Sequence, residues 1–88
     1  MGAKLMGKPQ LVSLDKIPSG ASVVVHKLEG GRQLATRLAA LGLSVGCQVK
    51  VLQNLAHGPL LMLVRDTRIA LGRGQALKIL VEEIGGEQ

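Results

Sequence analysis

The sequence predicts a small, mainly β domain of the α+β class, with five short antiparallel strands and one helix. At 88 residues the chain has the length of a single domain. Short apolar or alternating runs are separated by glycine and proline, a pattern typical of strands and turns. Only one longer segment has helical periodicity. Five strands and one helix suit a small closed barrel, because closure leaves no exposed strand edge.

The helix is predicted over residues 32–41, where leucines recur at the i, i+4 and i+7 spacing of one buried helical face: Leu34, Leu38 and Leu41. Gly42 is expected to be the left-handed residue that ends the helix, with Leu43 folding back onto the last turn. No Ser, Thr, Asp or Asn precedes the helix, so its start is expected to fray or to use glycine.

The strands are predicted at residues 22–28, 47–52, 60–65, 68–71 and 79–83, with one helical turn at 75–78. Residues 11–17 form either a short helical turn or an extended lead-in. We expect one domain over residues 11–84, a flexible extension over residues 1–10 and a polar tail over residues 85–88. The apolar faces of these elements predict one core: Leu34, Leu38, Leu41, Val49, Val51, Val64, Ile69, Leu71 and Val81.

The composition limits the classes of function. The chain has a net charge of +5 and contains no aromatic residue. The charge favours acidic partners, nucleic acid or anionic lipid, whereas the lack of aromatic residues removes the stacking platforms that most single-strand nucleic-acid binders use. A single cysteine, no signal-like segment and no apolar run of membrane-spanning length predict a cytoplasmic protein without direct membrane insertion.

The sequence predicts neither an enzyme nor a resident cofactor. Cys47, His26 and His57 are the residues that could form a metal site, but no two of them have the spacing of a metal-ligand motif. We interpret Cys47 as a small buried hydrophobic residue. The histidines are interpreted as surface residues that bind transition metals weakly and adventitiously at most. No phosphate-binding glycine motif occurs.

Several segments together resemble one known family. RLAALGLSVG, over residues 37–46, resembles a signature of the ferrous iron transport protein A (FeoA-like) family. The similarity continues on both sides, in Gly30-Gly31, GPLLMLVRDTRIAL (58–71), Ala76 and ILV (79–81), and covers about residues 11–83. The chain departs from the family pattern at Val45, where proline is usual, and at Asp66, where a turn glycine is usual.

The resemblance implies an SH3-like five-stranded antiparallel barrel, with a helix of about three turns inserted after the first strand and a short helical turn before the last. It also implies a small accessory or adaptor protein of bacterial ferrous iron uptake. The partner that the family implies is the membrane ferrous iron permease, whose cytoplasmic part includes a G domain. Docking on that part would modulate transport or nucleotide turnover.

The candidate contact surface is one face of the hairpin predicted around Asp66 and Thr67. If these two residues form the loop, Arg65 pairs with Arg68 and side chains alternate faces along both strands. The face opposite the core then carries Leu61, Leu63, Arg65 and Arg68. We predict that these residues contact the permease or a second copy of the chain, with Lys50 and Arg73 extending a basic patch.

Alternatives to this interpretation remain open. The loop before Pro59 or the N-terminal segment could simply cover the two leucines, and a register shift of one residue would exchange the two faces. A nucleic-acid-binding barrel would agree with the charge but not with the missing aromatic residues, and we expect no nucleic-acid partner. The other alternative function is that of a metal-responsive regulatory domain, because similar domains occur at the end of some metal-dependent repressors.

Overall fold

The computed structural model describes residues 10–55 and 57–84. Its strands are β1 (Val12–Ser13), β2 (Ser22–Leu28), β3 (Gln48–Gln53), β4 (Leu60–Val64), β5 (Thr67–Leu71) and β6 (Ile79–Ile84). Its helices are α1 (Gly31–Ala40) and α2 (Arg73–Ala76), and a 3₁₀ turn occupies Leu14–Lys16. The predicted tail and, except for Gln10, the predicted extension lie outside the described residues, so the domain boundaries stay a prediction.

All six strands form one antiparallel sheet in the order β1-β6-β2-β3-β4-β5. Within the described residues β1 and β5 do not pair with each other, so the sheet keeps two strand edges, whereas a closed barrel without edges was predicted. The mainly β class is confirmed, with α1 following the first long strand and α2 preceding the last. The predicted number of five strands is wrong, because Val12 and Ser13 add a short strand against β6. Residues 11–17 thus contain both predicted alternatives, an extended pair followed by a helical turn. The turn predicted at 75–78 begins earlier, because the Gly72 carbonyl oxygen accepts hydrogen bonds from the Gln75 and Ala76 N–H groups.

The core is built from Leu, Val, Ile and Ala side chains and one methionine, Met62. It joins one face of the sheet to buried residues of α1, the 3₁₀ turn and α2: Leu34, Leu38, Leu14 and Ala76. All but two of the predicted core residues are buried. Ile69 is half-buried and packs against the core, whereas Leu41 is 41% exposed.

The prediction that Leu41 is buried is wrong because α1 ends one residue earlier, at Ala40. Gly42 has a φ of 91°, as predicted. Its N–H bonds the Ala39 carbonyl oxygen, and the N–H of Leu43 bonds the Leu38 carbonyl oxygen. These two bonds form a Schellman motif, which reverses the chain and turns Leu43 into the core. Leu43 therefore takes the place that helical spacing had predicted for Leu41.

The predicted hairpin register is also wrong, although the predicted faces are correct. The loop is Arg65-Asp66, with Val64 paired to Thr67, whereas the prediction placed Thr67 in the loop. In the predicted register Leu60 would lie opposite Arg73, but in the structure Leu60 lies opposite Leu71 and both are buried. The two registers differ by an even number of positions, so each side chain keeps its face.

Arg65 has a φ of 58°, in the left-handed region that an L side chain rarely adopts. We expect Arg65→Gly to stabilise the protein by roughly 0.5–1 kcal/mol, because relief of the backbone strain exceeds the extra entropy of glycine in the unfolded chain. Urea unfolding followed by far-ultraviolet circular dichroism measures this difference. Arg65→Ala is the control, since it removes the same charge but keeps Cβ. Equal stabilisation by both variants would contradict the backbone explanation.

The side chain of Asn54 joins three segments at one end of the sheet. Its Nδ2 donates to the main-chain carbonyl oxygens of Asp15 at 3.0 Å and Ile17 at 2.6 Å. Its Oδ1 accepts from Nη2 of Arg73, which also donates to the Leu55 carbonyl oxygen. One amide thus connects the 3₁₀ turn, the end of β3 and the start of α2.

Loss of this amide should destabilise the fold. Asn54→Ala is expected to cost roughly 2–3 kcal/mol of unfolding free energy, since it leaves two carbonyl oxygens without their donor and removes one of the two acceptors of the half-buried Arg73 guanidinium. Asn54→Asp should cost at least as much, because it retains the acceptor for Arg73 but turns an oxygen towards two carbonyl oxygens. Chemical denaturation of both variants, with the exposed Gln53→Ala as control, measures these effects. An Asn54→Asp protein as stable as the parent would contradict the assigned amide orientation.

Candidate functional site

The sheet face turned away from the core carries the candidate site. Buried and half-buried residues alternate along β4, so Leu61 and Leu63 lie on the face opposite Leu60, Met62 and Val64. Both leucines are half-buried, which fits a sheet surface lined by neighbouring side chains. Their predicted orientation is therefore the one that the structure has.

Cross-strand pairing places cations on both sides of Leu63. Lys50 of β3 is its partner on one side, and Arg68 of β5 is its partner on the other. Leu61 lies opposite Ala70. Lys50 and Arg68 are exposed, so a leucine lies between two solvated positive charges.

Arg65 does not pair with Arg68, in contrast to the prediction. It occupies the hairpin loop, whereas Arg68 lies within β5 opposite Leu63. Arg65 nevertheless borders the same surface, because it lines a shallow groove of about 460 Å³ together with Lys50 and Leu63. We call Lys50, Leu61, Leu63, Arg65 and Arg68 the outer-face patch.

The groove also contains residues that sequence reasoning did not connect with the patch. Ser22 of β2 lies opposite Lys50, and both Ser22 and Cys47 line the groove. The pairing of β2 with β3 brings Ser22 there across a long loop and a helix, so no local pattern could have indicated it. The groove thus adds a hydroxyl and a thiol to the two cations and the leucine.

The three cations of the patch have no acidic partner within the described residues. The two contacts between basic and acidic side chains found there join His26 to Glu82 and Lys27 to Glu29. Asp66 follows Arg65 in the loop but forms no ion pair in this part of the structure. The positive charge of the patch is therefore available to a ligand.

Arg73 does not extend this basic patch. Its guanidinium donates to Asn54 and Leu55, as described above, and the residue is half-buried. Its role in the described structure is to hold α2 against the preceding loop. The predicted basic patch therefore includes Lys50 but not Arg73.

Comparison with known proteins identifies the family. The FeoA domain model matches residues 12–83. The chain belongs to the FeoA domain family. A curated protein of Methanocaldococcus jannaschii, provisionally named Fe(2+) transport protein A, is 40% identical over 70 residues, which cover 77% of this chain and 84% of that protein.

Solved structures share the fold of this FeoA domain. A crystal structure of an iron uptake regulatory protein, FeoA, has a TM-score of 0.81 and 28% identity, covering 85% of this chain and 100% of that one. An NMR structure of a FeoA-like protein from Clostridium acetobutylicum has a TM-score of 0.79 at 16% identity, covering 92% of this chain and 95% of that one. These neighbours confirm the predicted SH3-like class.

The same fold occurs as part of a larger regulator. A manganese-dependent transcriptional repressor matches with a TM-score of 0.78 at 20% identity, and the match covers 91% of this chain but 45% of the repressor. At this identity the similarity concerns the fold alone.

Within the residues that the structure describes, the FeoA domain contains no helix with the length and hydrophobicity of a membrane span.

The residues considered for a metal site have other surroundings in this FeoA domain. His26 Nε2 lies 2.8 Å from Glu82 Oε1. Cys47 is half-buried against the core, with Sγ 3.7 Å from the Gln48 carbonyl oxygen, and His57 is exposed in the loop before β4. Across residues 10–55 and 57–84, no three His, Cys, Asp or Glu side chains are grouped so that they could hold a metal ion.

We expect titration of the purified protein with Zn²⁺ or Fe²⁺ to show no site with a dissociation constant below about a micromolar, because a tight site needs three or four converging ligands. Isothermal titration calorimetry under anaerobic conditions is the measurement. A triple variant, His26→Ala/His57→Ala/Cys47→Ala, should give the same isotherm as the parent. Stoichiometric binding by the parent that the triple variant loses would contradict this prediction.

Proposed function

We propose that the chain is a non-enzymatic accessory protein of ferrous iron uptake that docks on the cytoplasmic part of the membrane ferrous iron permease. Membership of the FeoA family and the named function of the archaeal relative support the process. The observation that carries the docking is the outer-face patch, where half-buried leucines lie among exposed cations without acidic partners in the described structure.

The leucines supply the apolar part of the contact. Leu61 and Leu63 lie side by side on one strand face, and a partner that covers them removes apolar surface from water. A few side chains at the water-excluded centre of an interface usually account for most of its binding energy, and in this proposal the two leucines occupy that centre. The groove beside Leu63 provides a concave surface into which a partner side chain can fit.

The cations supply orientation and selectivity. Lys50, Arg65 and Arg68 surround Leu63 on three sides, and they attract carboxylates on the partner while repelling basic proteins. Exposed charges of this kind mainly accelerate association, and their effect falls as salt screens them. Affinity for the permease should therefore decrease with ionic strength.

In this proposal the chain acts by binding alone, from the cytoplasm. Contact with the permease's cytoplasmic part modulates transport or the turnover of nucleotide by its G domain. The single thiol, half-buried beside the groove, agrees with a reducing compartment.

Leu63→Glu is the most direct test of the patch. The carboxylate would lie between Lys50 and Arg68, where cross-strand pairs with these cations offset the loss of apolar contact, so stability should change by no more than about 1 kcal/mol. Binding to the purified cytoplasmic domain of the permease should fall by about tenfold or more, because the anchor is lost and the cations are neutralised. Calorimetry and thermal unfolding provide the two measurements.

Leu77→Glu is the matched control. Leu77 is an exposed leucine between α2 and β6, and in the sheet order β2 and β3 separate β6 from β4. The substitution makes the same chemical change. It should leave affinity for the permease domain unchanged. Full binding by Leu63→Glu, or equal loss in both variants, would refute docking through the patch.

A further inference from the structure

The strand β5 forms one end of the sheet. It pairs with β4 on one side, and no other strand lies beyond it in the sheet order. No backbone hydrogen bond from β5 to a loop or turn occurs within the described residues. The opposite end of the sheet is β1, which has only two residues. β5 is therefore the longer of the two sheet edges.

The hairpin register determines which backbone groups of β5 point outwards. A two-residue loop is closed by a hydrogen-bonded pair, here Val64 and Thr67, and hydrogen-bonded pairs then alternate with non-bonded pairs along the ladder. Arg68 and Ala70 belong to the non-bonded pairs. Their N–H and C=O groups consequently point away from β4, and both residues are exposed.

We infer that this edge receives an extended, acidic segment of the partner, which adds to the sheet as a further strand beside β5. The inference rests on the proposed docking function and specifies its geometry. Two outward N–H groups and two outward C=O groups provide the main-chain hydrogen bonds of such strand addition. The side chains of Arg68 and Ala70 lie on the same sheet face as Leu61 and Leu63, so the added strand continues the outer-face patch.

Charge selects the acidic occupant. On the face of the added strand that continues the patch, side chains would lie next to Arg68, where a carboxylate stabilises the pair and a cation destabilises it. A second copy of this chain, with a net charge of +5, would bring further arginines to the edge. Residues 1–9 of the chain contain Lys4 and Lys8 but no acidic residue, so they do not supply an acidic strand. An arginine on an edge strand thus opposes self-pairing and favours an acidic strand.

The experiment uses the purified cytoplasmic domain of the permease as the probe and Ala70→Pro as the variant. Proline removes the outward N–H of Ala70 but no bond of the β4–β5 ladder, so an edge strand can accommodate it. Affinity should fall by about tenfold or more, because a carbonyl oxygen of the added strand is left unpaired. Ala70→Ser is the control, since it retains the N–H, and it should bind like the parent.

Amide hydrogen exchange of the unmodified protein provides a second measurement that does not depend on the folding of the proline variant. In the free protein the amides of Arg68 and Ala70 should exchange faster than those of Thr67, Ile69 and Leu71, which face β4. Addition of the permease domain should slow exchange at Arg68 and Ala70, with little change at the other three. This alternation is the signature of strand addition.

The outcomes separate the inference from the proposed function. If the domain binds the parent without protecting Arg68 and Ala70, or binds Ala70→Pro equally well, strand addition is wrong and docking through the patch stands. If the domain does not bind the parent at all, both are wrong. Dimerisation in analytical ultracentrifugation that protects the same two amides without the domain would make a second copy the occupant and overturn the acidic partner.

Discussion

Burial of alternate side chains of β4 determines what the opposite face of the sheet displays. Because side chains alternate along a strand, Leu61 and Leu63 must face away from the core, and antiparallel pairing gives Lys50 and Arg68 the same orientation. Turning β4 over together with its neighbours β3 and β5 would expose the fully buried residues of these strands and place both cations against the core, where their charges would lack water. The composition of the outer-face patch is therefore a consequence of packing on the other side of the sheet.

This dependence explains why the strand faces that form the site were predicted correctly from the sequence, whereas the loop that borders the site was not. Alternation of apolar residues in one strand is sufficient to assign faces, and an error of two positions in register leaves them unchanged. The position of the loop depends on a balance between two smaller free-energy terms. Placing Arg65 at positive φ has a cost, and it is offset by pairing Leu60 with Leu71 in the core. No local rule weighs these two terms, so the pairing of Arg65 with Arg68 was predicted wrongly.

Other features could not be predicted because they join segments distant in sequence. The sequence predicts a loop at Asn54 and a surface cation at Arg73. In the structure Arg73 donates a hydrogen bond to the Asn54 side chain, which in turn donates to carbonyl oxygens of the 3₁₀ turn and the residue after it. Leu41 has the helical spacing of a core residue, but the two glycine-dependent hydrogen bonds after α1 give that place to Leu43. Propensity and periodicity describe neighbours along the chain, whereas these outcomes depend on contacts across it.

The wholly aliphatic core has a spectroscopic consequence. Without Phe, Tyr or Trp the chain has no aromatic near-ultraviolet chromophore, and the only rings that generate ring-current shifts are the imidazoles of His26 and His57. Methyl resonances of Leu61 and Leu63 should therefore be poorly dispersed in the free protein. An aromatic side chain that a partner brings to the outer face would change the chemical shifts of these methyl groups, and the change would be easy to detect. Ring-current shifts of the Leu61 and Leu63 methyl groups would therefore report contact with the partner's aromatic residues.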